Sequence, residues 1–149
     1  MKKLIPLLLA LLALLGACGK SAVSGPTVNA VITVRCDTVA GRADYIPADG
    51  VILPETELAV PEGASAYDLF MQAVKDARLA VVNGGSEQAP YITGIAALSA
   101  GDFGDLSGWL LYINGEMAVA NCKAIVLGEG DRVEFLYSCD FGADIKALQ

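Results

Sequence analysis

The sequence predicts an α+β fold, a mixed sheet with one helix packed on one face. Three observations carry that expectation. Val28, Ala30, Ile32, Val34 and Cys36 fall on alternate positions, the period of a half-buried strand. Leu69, Phe70, Ala73, Val74 and Ala77 recur at helical spacing, with Gln72, Lys75 and Asp76 opposite them. Near the C-terminus, Trp109, Leu111 and Ile113 alternate, and so do Val133, Phe135, Tyr137 and Cys139. A single apolar helical stripe is buried most economically against one face of a sheet.

The elements follow in order. Lys2 and Lys3 precede an apolar run from Leu4 to Leu15, the pattern of a secretion signal and shorter than the roughly 20 residues that cross a bilayer. Leu15-Gly16-Ala17-Cys18 looks like a bacterial lipobox. Residues 1–17 are therefore expected to be a lipoprotein signal peptide and Cys18 the acylated N-terminus. Residues 18–27 read as a small, polar tether, and residues 28–149 as the domain. Gly19-Lys20-Ser21 is no phosphate-binding loop, because Leu14 stands where its first glycine belongs.

Val28 to Cys36 is the first strand. Arg42 to Leu53, with Pro47 and Asp49-Gly50, reads as a loop, and Glu57 to Val60 as a short second strand closed at Pro61-Glu62-Gly63. Ser65 then caps the helix, with Asp68 at its third position. Asn83-Gly84-Gly85 is a break, Tyr91 to Leu98 a strand-like segment, and Gly101 to Gly108 a loop rich in glycine and aspartate. Two hairpins are expected to follow, turning at Asn114-Gly115 and at Gly128 to Asp131. A β-grasp arrangement satisfies this order, with the first and last strands adjacent and parallel.

Composition narrows the function. Removing residues 1–17, with two lysines and no acid, takes the net charge from −7 to −9. An acidic surface argues against nucleic acid and anionic lipid as partners, so membrane attachment would come from the acyl chains. The expected location is extracytoplasmic, lipid-anchored at a bacterial membrane or cell surface. The chain has no histidine, which removes the commonest general base and most zinc sites. No nucleophile–base set is visible, so the chain is not expected to be an enzyme. No metal site is expected, because Asp102 and Asp105 lack the spacing of a calcium loop. Glu116, Glu129, Asp131 and Glu134 read as a solvated face.

Tyr91-Ile92-Thr93-Gly94-Ile95, Ser107-Gly108-Trp109, Tyr112-Ile113-Asn114-Gly115, Leu127 with Gly130-Asp131, and Tyr137-Ser138-Cys139-Asp140 together resemble the transcobalamin-like C-terminal domain. That family of bacterial surface proteins is similar to the β-domain of transcobalamin and intrinsic factor. The resemblance runs roughly from Val28 to Gly142. It implies a β-grasp-like fold and, as bound ligand rather than required cofactor, cobalamin or a related corrinoid. In such carriers the small domain closes over a ligand that a larger helical domain also holds. Here a second binding chain or an uptake system would supply that opposite wall.

Two readings of Trp109 stand side by side: a core ring anchoring the sheet, or a ring lining a ligand groove. On the second, Phe103, Leu106 and Trp109 form an apolar wall beside Tyr112, with Asn114 and Asn121 as polar contacts. A groove open at Trp109 favours a small-molecule binding module. A buried Trp109 favours a structural or adhesive surface domain that contacts protein or polymer. With Cys18 assigned to lipid, Cys36, Cys122 and Cys139 remain. In a β-grasp fold the first and last strands end at the same sheet edge, which predicts a Cys36–Cys139 disulfide, with Cys122–Cys139 as the competitor.

Overall fold

The computed structural model describes residues 25–145. The expected signal peptide, Cys18 and most of the tether lie outside the described residues. The α+β expectation holds. A five-stranded sheet runs in the order β2-β1-β8-β6-β7, and a three-stranded sheet in the order β3-β4-β5.

The first strand, β1 (Thr27–Arg35), pairs antiparallel with β2 (Val51–Pro61) and parallel with the last, β8 (Arg132–Ser138). Ala30, Ile32, Val34 and Cys36 are buried, as their alternation predicts. β2 corrects the sequence reading, because it begins at Val51, within the expected loop, and is 11 residues long. Pro54 hid it. The pairing skips from Ile32–Thr56 to Val34–Leu53, so Pro54 sits in a bulge, where a missing N–H breaks no ladder bond. Thr33 Oγ1 donates to the Leu53 carbonyl there.

The helix, α1 (Ala66–Asp76), starts with a capping box: Ser65 Oγ accepts the Asp68 N–H, and the Asp68 carboxylate accepts the Ser65 N–H. Its buried stripe is Ala66, Leu69, Phe70, Ala73 and Val74. Phe70 meets Phe135 of β8 with ring centroids 4.3 Å apart.

After the helix, β3 (Val81–Asn83) pairs with β4 (Ile92–Ile95), and β4 with β5 (Leu98–Ser99). The strand-like segment is thus two strands, parted at Ala96, whose φ is 55°. β6 (Gly108–Ile113) turns at Asn114-Gly115 into β7 (Glu116–Met117), the expected hairpin. The second expected hairpin does not form. β8 pairs with β6 instead, and the residues before it run through a 3₁₀ turn at Cys122–Ala124.

Candidate ligand-binding site

Strand alternation decides where each candidate residue points. Trp109, Leu111 and Ile113 stand opposite Tyr137, Phe135 and Val133 across the β6–β8 ladder, all on the helix side of the sheet. Trp109 is 5% exposed. Its Nε1 donates to the Leu98 carbonyl at 3.0 Å, and its ring meets Tyr137 edge-on at 5.2 Å. The Tyr137 hydroxyl donates to the Ser99 carbonyl at 2.8 Å, with Ser107 Oγ 3.0 Å away. Both rings therefore tie the main sheet to β5. Trp109 is a core residue. Burial raises the Tyr137 hydroxyl pKa.

Phe103 is half-buried and edge-on to Tyr137, with the Arg42 guanidinium 5.5 Å from its centroid. Leu106, from the same loop, is exposed. Tyr112 falls one residue out of phase with Trp109 and lies on the opposite face, 4% exposed. Asn114 links two turns: its Nδ2 donates to Asp131, and its Oδ1 accepts the Arg132 N–H. Asn121 links two loops, donating to the Pro90 carbonyl and accepting the Lys123 N–H. The six residues do not line one groove. Phe103 and Trp109 meet through Tyr137, Tyr112 is behind the sheet, and each asparagine holds turns together.

Two of the acids read as solvated also have turn-holding work. The Asn114 hydrogen bond and the Gly128 N–H hold the Asp131 carboxyl below its ordinary range. The Asn29 N–H and side-chain amide do the same for Glu129.

The Cys36–Cys139 bridge is not formed; Cys36, Cys122 and Cys139 are all free thiols. The β1–β8 register explains why. Arg35 pairs with Leu136, which puts Cys36 level with Tyr137, and Cys139 lies two residues further along. That is about 7 Å along the strand on top of roughly 5 Å between strands, beyond the about 7 Å reach of a disulfide. Cys122 does not pair with Cys139 either and packs near the Pro90 carbonyl. Burial pushes the Cys36 thiol up to about 11 and raises that of Cys122 as well.

A feature the sequence reading missed covers the second sheet face. Ser138 Oγ donates to Asp144 and accepts the N–H groups of Asp140 and Gly142, while Asp144 also accepts the Cys139 N–H. These bonds fold residues 139–145 into a turn over Leu110 and Tyr112. A methyl group at Gly142 would stand 3.1 Å from Leu110 Cδ1, 3.2 Å from Tyr112 Oη and 3.6 Å from Met117 Sδ. At the rim of this turn Phe141 is 68% exposed, Met117 49% and Leu106 46%. The Phe141 N–H donates to the Leu106 carbonyl, and Gly142 lies against Met117, so the three apolar residues gather at one edge. The available signal was the out-of-phase set Leu110, Tyr112 and Leu136, apolar on the face the helix does not cover.

No curated protein matches the chain. In three dimensions it is similar to haptocorrin in complex with Cbi, at 20% identity and a TM-score of 0.59, over 76% of this chain and 25% of that one. The chain thus spans a quarter of the haptocorrin chain. It is also similar to a Ruminococcus gnavus protein provisionally described as metal binding, at 15% identity and a TM-score of 0.48, over 74% of this chain and 96% of that one. Residues 64–138 match the family model described as Domain of unknown function (DUF4430), and with that match, on a transcobalamin-like fold, the chain belongs to the DUF4430 family.

Proposed function

We propose that the chain is a lipid-anchored, extracytoplasmic binding module, tethered through Cys18, whose domain takes up a small molecule, cobalamin or a related corrinoid. The observation that carries the reading is the apolar edge of Leu106, Met117 and Phe141, three large exposed side chains gathered by the turn over 139–145. Apolar patches of this kind mark sites of interaction on a soluble surface. The shared fold with a quarter of haptocorrin, solved with Cbi, supports the ligand class. An open edge supplies one wall, and a second chain or an uptake protein supplies the other. With no histidine in the chain, shape, stacking and amide hydrogen bonds hold the corrinoid.

Equilibrium dialysis of cobalamin against the full chain tests this. Saturable binding that falls in a Met117→Ser/Phe141→Ser double variant of unchanged stability is expected. Absence of binding, alone and with membrane extract as a source of the partner, sinks the corrinoid reading. Mass spectrometry of the membrane-associated protein tests the anchor: residues 1–17 should be missing and Cys18 acylated. An unmodified Cys18 overturns that part.

A second reading has its own observation. Trp109 is buried, which favours a structural or adhesive domain that uses the same edge to contact protein or polymer. No cobalamin retained in dialysis, together with weaker cell-surface adhesion by the double variant, would select it.

A further inference from the structure

On the other side of the C-terminal turn, the second sheet face is open beside β1. A cavity of about 350 Å³ lies there, bounded by Arg35, Asp37, Thr38, Glu134, Leu136 and Ile145. That is within the range of small-molecule sites, roughly 300–1,000 Å³. The β1–β8 register pairs Thr33 with Glu134 and Arg35 with Leu136, so Arg35, Glu134 and Leu136 share this face. Leu136 and Ile145 make an apolar floor and wall, and the polar groups stand at the rim.

The charges at that rim do not balance. Arg35 donates from Nε and Nη2 to the two oxygens of Asp37, a fork that satisfies both partners. The Thr38 hydroxyl donates to the Tyr137 carbonyl. Asp144 is held by Ser138 and the Cys139 N–H, and Arg132, two residues from Glu134, pairs with Glu55. Among the described residues Glu134 has no ion-pair partner. The cavity thus offers, above an apolar surface, a carboxylate that no described cation bridges, with Arg132 acting on it only at longer range.

We propose that this cavity binds a small organic monocation, with its ammonium group at Glu134 and a short apolar body on Leu136 and Ile145. An anion is disfavoured, because Asp37 already occupies Arg35 and Glu134 would repel it. A neutral ligand would leave Glu134 without a cation in direct contact. The site is separate from the Leu106–Met117–Phe141 edge, since the turn over 139–145 stands between them, and it does not depend on the corrinoid reading.

The test is titration of the full chain with benzylammonium, with benzyl alcohol and benzoate as neutral and anionic analogues of similar shape. Amide resonances of Thr38, Leu136 and Ile145 give the readout. Saturable shifts with benzylammonium are expected, with binding on the order of tenfold weaker for benzyl alcohol and for the Glu134→Gln variant. Benzoate should leave the three resonances in place. Equal affinity for benzyl alcohol, unchanged affinity in Glu134→Gln, or no shift of those amides would overturn the proposal.

Discussion

On its helix side the main sheet presents Trp109, Phe135 and Tyr137; one residue along the same strands, its other side presents Leu110, Tyr112, Leu136 and Glu134. The first side is closed by another element packed ring against ring, Phe70 on Phe135, and by two hydrogen bonds reaching into β5. The second is closed by a seven-residue turn, held largely by the side chains of Ser138 and Asp144. A helix fills the space it covers, whereas a short turn covers part of a face and leaves edges. The apolar rim and the 350 Å³ cavity are those edges. Stability therefore resides on one side of the sheet, and the surfaces available for recognition lie on the other.

The largest test of that contrast is Trp109→Ala. Loss of a buried aromatic in a filled core, with its hydrogen bond, should cost about 3–5 kcal/mol, read by urea denaturation. A cost below about 1 kcal/mol would break the comparison at its stronger half. Gly142→Ala probes the other half. Its φ of 90° and the 3.1 Å approach to Leu110 make any side chain strained there, so a loss of about 1–2 kcal/mol is expected. Faster hydrogen exchange at Leu110 and Tyr112, with Trp109 emission unchanged, would locate the damage on the second face. Ser65→Ala should cost about 1 kcal/mol through the lost helix cap and leave the C-terminal turn protected.

Acid should separate the two faces further. Burial works against the Asp144 carboxylate, but bonds from Ser138 and the Cys139 N–H outweigh it and hold its pKa below the ordinary value. A depressed folded pKa means stability that is present above the unfolded value, near 4, and lost as pH falls through the folded one. Amides of residues 139–144 are therefore expected to lose exchange protection at a higher pH than that of Phe135, and Asp144→Asn should flatten the dependence. Thiol chemistry gives the smallest effect. Cys36 is buried and its pKa is raised to about 11, so alkylation at neutral pH should label half-buried Cys139 first. Equal labelling rates would show that the β1 end opens as readily as the turn.

Much of the fold was legible because its signals are local. The stripe Leu69, Phe70, Ala73 and Val74 and the Ser65–Asp68 cap define the helix, and the phase of Trp109, Leu111 and Ile113 is the phase observed. The N-terminal half of β2 was not legible. Pro54 reads as a breaker, and only the bulge opposite Thr33 makes it compatible with a strand. The site was less legible still. Asn114 and Asn121 have the chemistry of ligand contacts, yet their amides are spent on turns that are distant in sequence.

Periodicity, charge and the absence of histidine determined by themselves that this is an acidic α+β domain built on one helix, because each depends only on neighbouring residues or on composition. The register of β1 against β8 was a tertiary decision. It sets Cys36 and Cys139 two residues apart along the sheet and puts Arg35 beside Leu136. Tertiary structure also decided that Trp109 is core and Tyr112 is covered by Gly142. Alternation tells which residues share a face, but what covers that face depends on where a distant piece of chain comes to rest.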